Sequence, residues 1–421
     1  MSTETRLTTD DGIVHDGDQS ISEALSAYVN KIRGGDLGSL PAFLGLIAIV
    51  AIFGALKGDV FLTSFNFANL LTQSSMVIVL AMGLVFVLLL GEIDLSAGFG
   101  AGTSAAVLAV ALTSKGLPWY VAILAALVTG SLIGLFIGLL VARLGIPSFV
   151  VTLAMFLGLQ GLMLLIIGDG GTIGVKDPVI LAIENNNLSV VAGWILFAIV
   201  VLGYALTSGR RILKRRSQGL TTQSNSLWLS KVVAIAALYG TFTWQFSKER
   251  SLNPTITSIK GVPYIVPLIL VLLVVLTFVL SRTAFGRHIY AVGGNSEAAR
   301  RAGINVHGIK IACFVICQVM AAVAGILFAS RDNSVSPSTG GSTTLLYAVA
   351  AAVIGGTSLF GGRGRVWDAV IGGLVVGVIG NGLPLITQQA GIQFVVTGIV
   401  LLVAASVDAI SRRRSAASGR A

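Results

Sequence analysis

The sequence predicts an all-α polytopic membrane bundle of about 10 to 12 transmembrane helices, and three observations carry that expectation. Charged residues make up 11% of the chain and hydrophobic ones 55%, against roughly 25% charged in a soluble domain. Apolar runs of about 20 residues, each long enough for a hydrocarbon layer about 30 Å thick, recur from Pro41 almost to the C-terminus. The basic residues gather in short clusters between those runs, where they set membrane orientation. A soluble enzyme, a disordered chain and a disulfide scaffold are excluded.

Taken in order, residues 1–40 are polar and acidic and lack the basic and short apolar regions of a signal peptide, which reads as a cytoplasmic tail. The transmembrane domain follows over 41–411. Spans are expected near 41–57, 76–91, 97–113, 119–142, 148–167, 190–207, 231–247, 263–280, 309–329, 343–357, 367–387 and 392–410. Two are weak: 231–247 carries Thr241, Thr243, Trp244 and Gln245, and 343–357 is short and flanked by glycine. Such a segment survives at membrane depth only where protein or a cavity shields its backbone. Phe61 to Ser75 is amphipathic and too polar to span, which predicts an interfacial helix on the outer side.

With both termini cytoplasmic, the inner side holds Arg143, the basic insertion 208–230, the loop 281–310, Arg363 with Arg365, and the basic tail 412–421. That arrangement puts 21 of the 28 basic residues inside, and the opposite orientation would invert the ratio. The net charge of +10 is thereby read as orientation and not as a nucleic-acid surface. Cys313 and Cys317, four apart in an apolar run, share one helix face, and three scattered histidines leave no metal set. Gly130, Gly134 and Gly138 line one face of the fourth span, as do Gly373 and Gly377 later. Such faces bring helices close, and they suggest a helix-mediated dimer interface.

Three motifs carry the functional reading. GEIDLSAG (Gly91 to Gly98) puts Glu92 and Asp94 among apolar neighbours, and intramembrane ionisable groups mark either a pathway or a paired structural site. Asp94 or Ser96 would alternatively cap the helix that starts there. In the 281–310 loop, Asn295 or Ser296 would cap a short helix. Glu297 falls in its first turn, Arg300 and Arg301 near its end, and Gly303 serves as the stop. Ala298, Ala299 and Ala302 give it a small-residue face, and the whole reads as a docking element. GGTSLFGGRGRVWDAVIGG (Gly355 to Gly373) predicts a tight structural turn at Gly361, Gly362, Arg363 and Gly364. No phosphate-loop or dinucleotide fingerprint and no catalytic grouping occurs, so transport, not catalysis, is the working class, with no cofactor in this chain. Phe149, Thr152, Gln160 and Asn381, polar or aromatic groups in or beside apolar spans, are candidates for the translocation path together with Glu92, Asp94 and Ser96.

In this order the motifs resemble the membrane subunit of ABC importers for pentoses and hexoses, the ribose, xylose, arabinose and galactose permeases, over roughly Phe61 to Ala409. VLAMGLVFVLLLGEIDLSAG, GIPSFVVTLAMFLGLQGL, TAFGRHIYAVGGNSEAARRAGI and AAAVIGGTSLFGGRGRVWDAVIGG carry the resemblance. The added stretch from about Asp169 to Val262 makes the chain more similar to the xylose-type branch. Gln160 and Phe360 depart from that pattern, standing where relatives often have arginine and a small polar residue. The resemblance implies a multi-pass permease of the bacterial inner membrane, working as two copies with a solute-binding protein outside and a cytoplasmic ATPase that holds ATP and Mg²⁺. It implies that Gly293, Gly294, Asn295, Ser296, Glu297, Ala298, Arg300 and Gly303 form the coupling helix and its approach. The main rival is an ion-coupled secondary transporter using Glu92 and Asp94 at broken helices, although no inverted repeat is evident in the sequence. A scaffold or sensor subunit that moves nothing is the third reading.

Overall fold

In a computed structural model of the chain, residues 40–168, 171–220, 222–251, 253–256 and 258–417 are described, together with Ser26. The expected tail 1–40 thus lies almost wholly outside the described residues, as do positions 418–421. Helices dominate: α1 (Leu40–Phe61), α2 (Ser64–Leu89), α3 (Ala97–Ala109, continued by a wider turn to Ser114), α4 (Trp119–Ala142), α5 (Ser148–Ile167), α6 (Pro178–Asn185), α7 (Val190–Ser217), α8 (Asn225–Ser247) and α9 (Ile265–Arg282). They continue as α10 (Ala284–Gly294), α11 (Ser296–Arg301), α12 (Val306–Asp332), α13 (Ser342–Gly355), α14 (Val366–Ile386) and α15 (Ala390–Ala417). Two dipeptide strands, β1 (Ile173–Gly174) and β2 (Ser334–Val335), pair antiparallel. Ten described helices are long and apolar enough to span, with Ser342–Gly355 and Ala390–Val400 shorter. The weak 343–357 run is therefore a half-length helix, whereas 231–247 belongs to a 23-residue one.

Alternation of helix direction puts Arg143, the 210–216 cluster, α10, α11 and the 356–365 turn at one end of the bundle, here called the basic end. The basic insertion is mostly helix, since α7 runs on through Arg216 and ends only at Ser217. Cations suit that position, because the last turn of a helix leaves carbonyls unpaired.

The centre of the bundle is α2 and α12, with α3, α4, α13 and α14 around them. The segment Phe61 to Ser75 does not form the separate interfacial helix that its polarity suggests; from Ser64 onward it is the first half of α2, unbroken through Leu89. Its polar groups are satisfied from far along the chain. Asn66 exchanges two amide hydrogen bonds with Asn381 of α14, at 2.8 and 3.0 Å, and Gln73 accepts from Asn381 at 3.3 Å. Arg331 donates to Thr72 at 2.9 Å and Ser75 donates to Glu184 at 2.6 Å. A polar side chain in a buried helix is tolerated when its partners are supplied. Truncating one member of the amide pair, Asn381→Ala, leaves the Asn66 side-chain oxygen without its donor, although Asn66 Nδ2 keeps the Phe61 carbonyl at 3.0 Å, and is expected to cost about 1–3 kcal/mol. The double variant N66L/N381L should recover part of that loss in a detergent melting experiment.

The glycine faces are consumed within the chain. A Cβ on Gly130 would stand 2.5 Å from the Gln318 carbonyl, one on Gly134 2.6 Å from that of Phe314, and one on Gly138 2.8 Å from the Ile311 Cα. All three seat α4 on α12, and Gly373 and Gly377 likewise seat α14 on Ile78 and Ser74 of α2. Close approach replaces the hydrophobic drive that lipid cannot supply, but the contact made is intramolecular and not the suggested dimer interface.

At the periphery, α7 and α8 form a largely exposed hairpin. Arg250 anchors it. Only 5% exposed, Arg250 donates to the carbonyls of Phe246 (3.2 Å) and Gly261 (2.9 Å) and to Asn187 Oδ1 (3.0 Å). Beside it Glu249 accepts from Ser258 and from the Ser251 and Ile259 amides, which hold its carboxyl down to about 2. Its folded pKa lies below the ordinary value, so its contribution is full above about 4.5 and fades as the pH falls from there through about 2. Arg250→Ala orphans three acceptors and is expected to expose the 248–262 loop to protease added from that side.

Candidate translocation site and docking helix

Each end of the 283–303 segment has its own chemistry. Thr283 caps α10, its hydroxyl accepting from the Gly286 amide at 3.1 Å. Asn295 caps α11 by accepting from the Ala298 amide at 2.9 Å, so the alternative of a Ser296 cap is not used. Glu297 pairs with Arg300 at 2.7 Å and Arg301 at 3.0 Å, and hydrogen bonds from both hold its carboxyl below the ordinary glutamate value. Gly303 ends the segment with φ +82°, a left-handed turn that suits glycine. Asn295, Ser296, Glu297, Ala298, Arg300 and Gly303 are exposed, and only Ala299 turns inward.

The docking helix joins the bundle through backbone contacts. A Cβ on Gly293 would lie 1.8 Å from the Leu89 carbonyl oxygen at the end of α2. The same oxygen accepts from the Gly362 amide at 2.8 Å. Gly361 (φ +83°) packs against the backbones of Gly293 and Gly91, while Gly294 faces open space. The turn is closed by the Ser358 amide on the Arg363 carbonyl, 2.8 Å, and Tyr290 of α10 donates to the Gly364 carbonyl at 2.7 Å. Three segments that lie apart in sequence thus meet at one glycine junction.

From this junction the chain turns back into the bundle. Gly91 takes φ +74°, and Glu92 pairs with Lys310 in the second turn of α12. Deeper in, Asp94 Oδ1 accepts from the Ser96 amide (2.9 Å) and hydroxyl (2.6 Å), and its Oδ2 accepts from Gln318 Nε2 (2.8 Å). Gln318 also donates to the Ser96 hydroxyl at 3.0 Å. Asp94, Ser96 and Gln318 are fully buried. Lys310 and Gln318 stand eight residues apart on α12, about 12 Å along its axis. Residues 90–96 are therefore a non-helical re-entrant stretch of turns around 92–94, and α3 starts inside the bundle. Neither expected cap operates in the ordinary way, because Asp94 binds the residue just before the helix and the Ser96 hydroxyl makes no cap bond. Thr152 and Ser148 of α5 steady the stretch, donating to the Ile93 carbonyl (3.2 Å) and accepting from the Ile93 amide (3.3 Å).

The other end mirrors this. After α12 and β2 the chain re-enters through 336–341, and α13 then starts inside the bundle. Gly98 of α3 meets the Gly340 and Gly341 carbonyls, and Gly102 meets that of Thr339. A long helix, a non-helical break and a helix starting at depth occur twice with opposite direction, so an inverted pair that the sequence did not display exists in space. Beside the second break is a cavity of about 390 Å³ lined by Phe99, Gln160, Pro337, Ser338, Gly341, Ser342, Thr343 and Thr344.

Of the seven path candidates, only Gln160 lines that cavity. Glu92, Asp94, Ser96 and Thr152 lie along the re-entrant stretch, Phe149 is 56% exposed on α5, and Asn381 belongs to the amide pair near the far end. Sequence reasoning passed over Lys310, Gln318 and the SPSTGGSTT run. A lone glutamine in an apolar helix, and a polar run ahead of a short apolar one, were the available signals. Among the described residues no group of three or more His, Cys, Asp or Glu is placed to hold a metal.

The chain is similar to known sugar permeases over most of its length. The xylose transport system permease protein XylH of Escherichia coli K12 is 36% identical over 380 residues, covering 90% of this chain and 94% of that protein. Its namesake in Haemophilus influenzae is 33% identical over 389 residues, 91% and 99% of the two chains. The ribose import permease protein RbsC of E. coli K12 is 32% identical over 367 residues, 87% and 92%. No solved structure matches the chain. The profile of the family described as the permease component of the branched-chain amino acid transport system matches residues 66–405, and the chain belongs to that family.

Proposed function

We propose that this chain is the membrane-spanning subunit of an ATP-driven importer that moves a monosaccharide, D-xylose foremost, across the bacterial inner membrane. The observation that carries the reading is α11: a capped, exposed helix whose approach, at Gly293, is locked by backbone contact to the end of the central helix α2. The names of the relatives, xylose and ribose permeases, support the substrate class. The basic end is taken as cytoplasmic by the positive-inside rule, which puts both termini inside and residues 1–40 and 412–421 in the cytoplasm.

In this reading the energy comes from a separate cytoplasmic ATPase that holds ATP and Mg²⁺, and a solute-binding protein delivers sugar at the far end. Gly293, Gly294, Asn295, Ser296, Glu297, Ala298, Arg300 and Gly303 form the coupling element. When the ATPase pair closes, α11 moves as a rigid rod. The turn at Gly361, Gly362, Arg363 and Gly364 and the Leu89 carbonyl pass that motion to α2 and the 90–96 stretch. Packed helices are bistable, not elastic, so a small shift there selects between two arrangements of the breaks. Asp94, Ser96 and Thr152 act as the frame of the broken helices, with Glu92 tied to α12. Asn381 frames the far end, and Gln160 and Phe149 face outward on α5. A polar side chain such as Gln160 at membrane depth needs protein or water opposite it. The cavity beside the second break meets that need for Gln160; in the same reading a second permease copy packs beside this one, with the remaining perimeter in lipid.

An ion-coupled transporter is disfavoured by the same geometry, because Glu92 already pairs with Lys310 and Asp94 is held by three donors. Proteoliposomes containing the chain, its ATPase and its binding protein should accumulate labelled D-xylose only when ATP is present. Accumulation by the chain alone under an ion gradient would overturn the proposal.

A further inference from the structure

We infer that the cavity at the first turn of α13 is the site at which an uncharged polyol, a monosaccharide, rests while crossing the membrane. This inference rests on the transport reading above. A volume of about 390 Å³ falls within the range of small-molecule pockets, about 300–1,000 Å³.

The chemistry of the wall selects the ligand. Gln160 contributes an amide, and Ser338, Ser342, Thr343 and Thr344 contribute hydroxyls that both donate and accept. Phe99 adds an apolar ring held edge-on by Phe156 at 4.8 Å, a surface for the C–H face of a sugar. All eight lining residues are uncharged. A zwitterionic amino acid, the cargo in the family's description, would bring an ammonium group into a wall that offers it no carboxylate. A neutral polyol needs none, and contacts to hydroxyls alone are weak enough to release it.

Position supports the same conclusion. The cavity lies where the two inverted breaks meet, since Gly341 lines it and the Gly341 carbonyl touches Gly98 of α3. The first amides of α13 are not used by the helix itself, and Gly341 ahead of them makes no side-chain cap. A motion of the 90–96 stretch moves α3 and Phe99 with it, so the wall changes shape when the breaks do.

The test uses cysteine accessibility in the assembled complex of full chain, ATPase and binding protein. Cys313 and Cys317 are fully buried, which keeps the background low. Thr343→Cys and, as a second position, Ser338→Cys are treated with a cationic methanethiosulfonate, with and without D-xylose. Both thiols are expected to react, with a loss of sugar uptake of at least about tenfold and labelling slowed at least about threefold by sugar. Thr207→Cys on the outer face of α7 should show no protection. If the wild-type complex imports D-xylose but neither cavity thiol reacts, or both react at the same rate with and without sugar, the cavity assignment is overturned while the transport reading stands. If the wild-type complex imports no monosaccharide, the transport reading fails and takes this inference with it.

Discussion

Gly293→Val is expected to stop transport without removing the docking helix. The added Cβ would sit 1.8 Å from the Leu89 carbonyl oxygen and 2.8 Å from the Gly362 nitrogen, where carbon contacts normally begin near about 3.5 Å. Both obstacles are backbone, and they are bonded to each other at 2.8 Å, so neither swings aside as a side chain would. The junction has to open by more than 1 Å, on the scale at which a misplaced catalytic element loses about 10²-fold in rate. Uptake of labelled sugar by the assembled complex should fall by about that factor. The exposed face of α11 is unaltered, so the ATPase should still co-purify. Gly203→Ala on α7, outside the coupling element and facing open space, is the control and should transport normally. Uptake within about twofold of wild type in G293V would show that the contact transmits nothing.

Asp94→Ala is expected to be the most destabilising single truncation in the re-entrant stretch. It removes the acceptor for the Ser96 amide, the Ser96 hydroxyl and the Gln318 amide group, all fully buried. Each buried group left unpaired costs about 1–3 kcal/mol, so a total of about 3–5 kcal/mol is expected once the Ser96–Gln318 bond is allowed to compensate. Asp94→Asn keeps one acceptor oxygen and should cost less, because its new N–H₂ then faces either the Ser96 or the Gln318 donors. Thermal melting of the purified protein in detergent orders the three forms: wild type above Asp94→Asn, and Asp94→Ala lowest. An Asp94→Ala variant that melts with the wild type would mean that the start of α3 is held by something else.

Where the sequence was legible, the reasons were local. The docking helix could be read because its cap, its ion pairs and its stop all fall between Asn295 and Gly303, within one helical segment. The apolar runs of α4, α5 and α9 were legible because lipid imposes length and composition on each run separately. What was not legible depends on partners far along the chain. Asn66 and Gln73 make the start of α2 look interfacial, and only Asn381, more than 300 residues later, makes it a buried helix. Gly130, Gly134 and Gly138 mark a close contact but do not name the helix on the other side. GEIDLSAG suggested a cap or a pathway, because neither Gln318 nor Lys310 can be assigned to it from spacing. The cavity escaped for the same reason, since its wall is assembled from α3, α5 and the approach to α13.

The measurement that tests the central claim most directly replaces Asn295, Ser296 and Glu297 with three glycines and reads ATP hydrolysis in the reconstituted complex. Loss of the cap and of the Glu297 ion pairs should melt α11 while leaving the membrane helices intact. Basal hydrolysis is expected to persist, while its stimulation by sugar-loaded binding protein disappears together with uptake. Full stimulation and normal uptake in that variant would contradict the coupling role of α11.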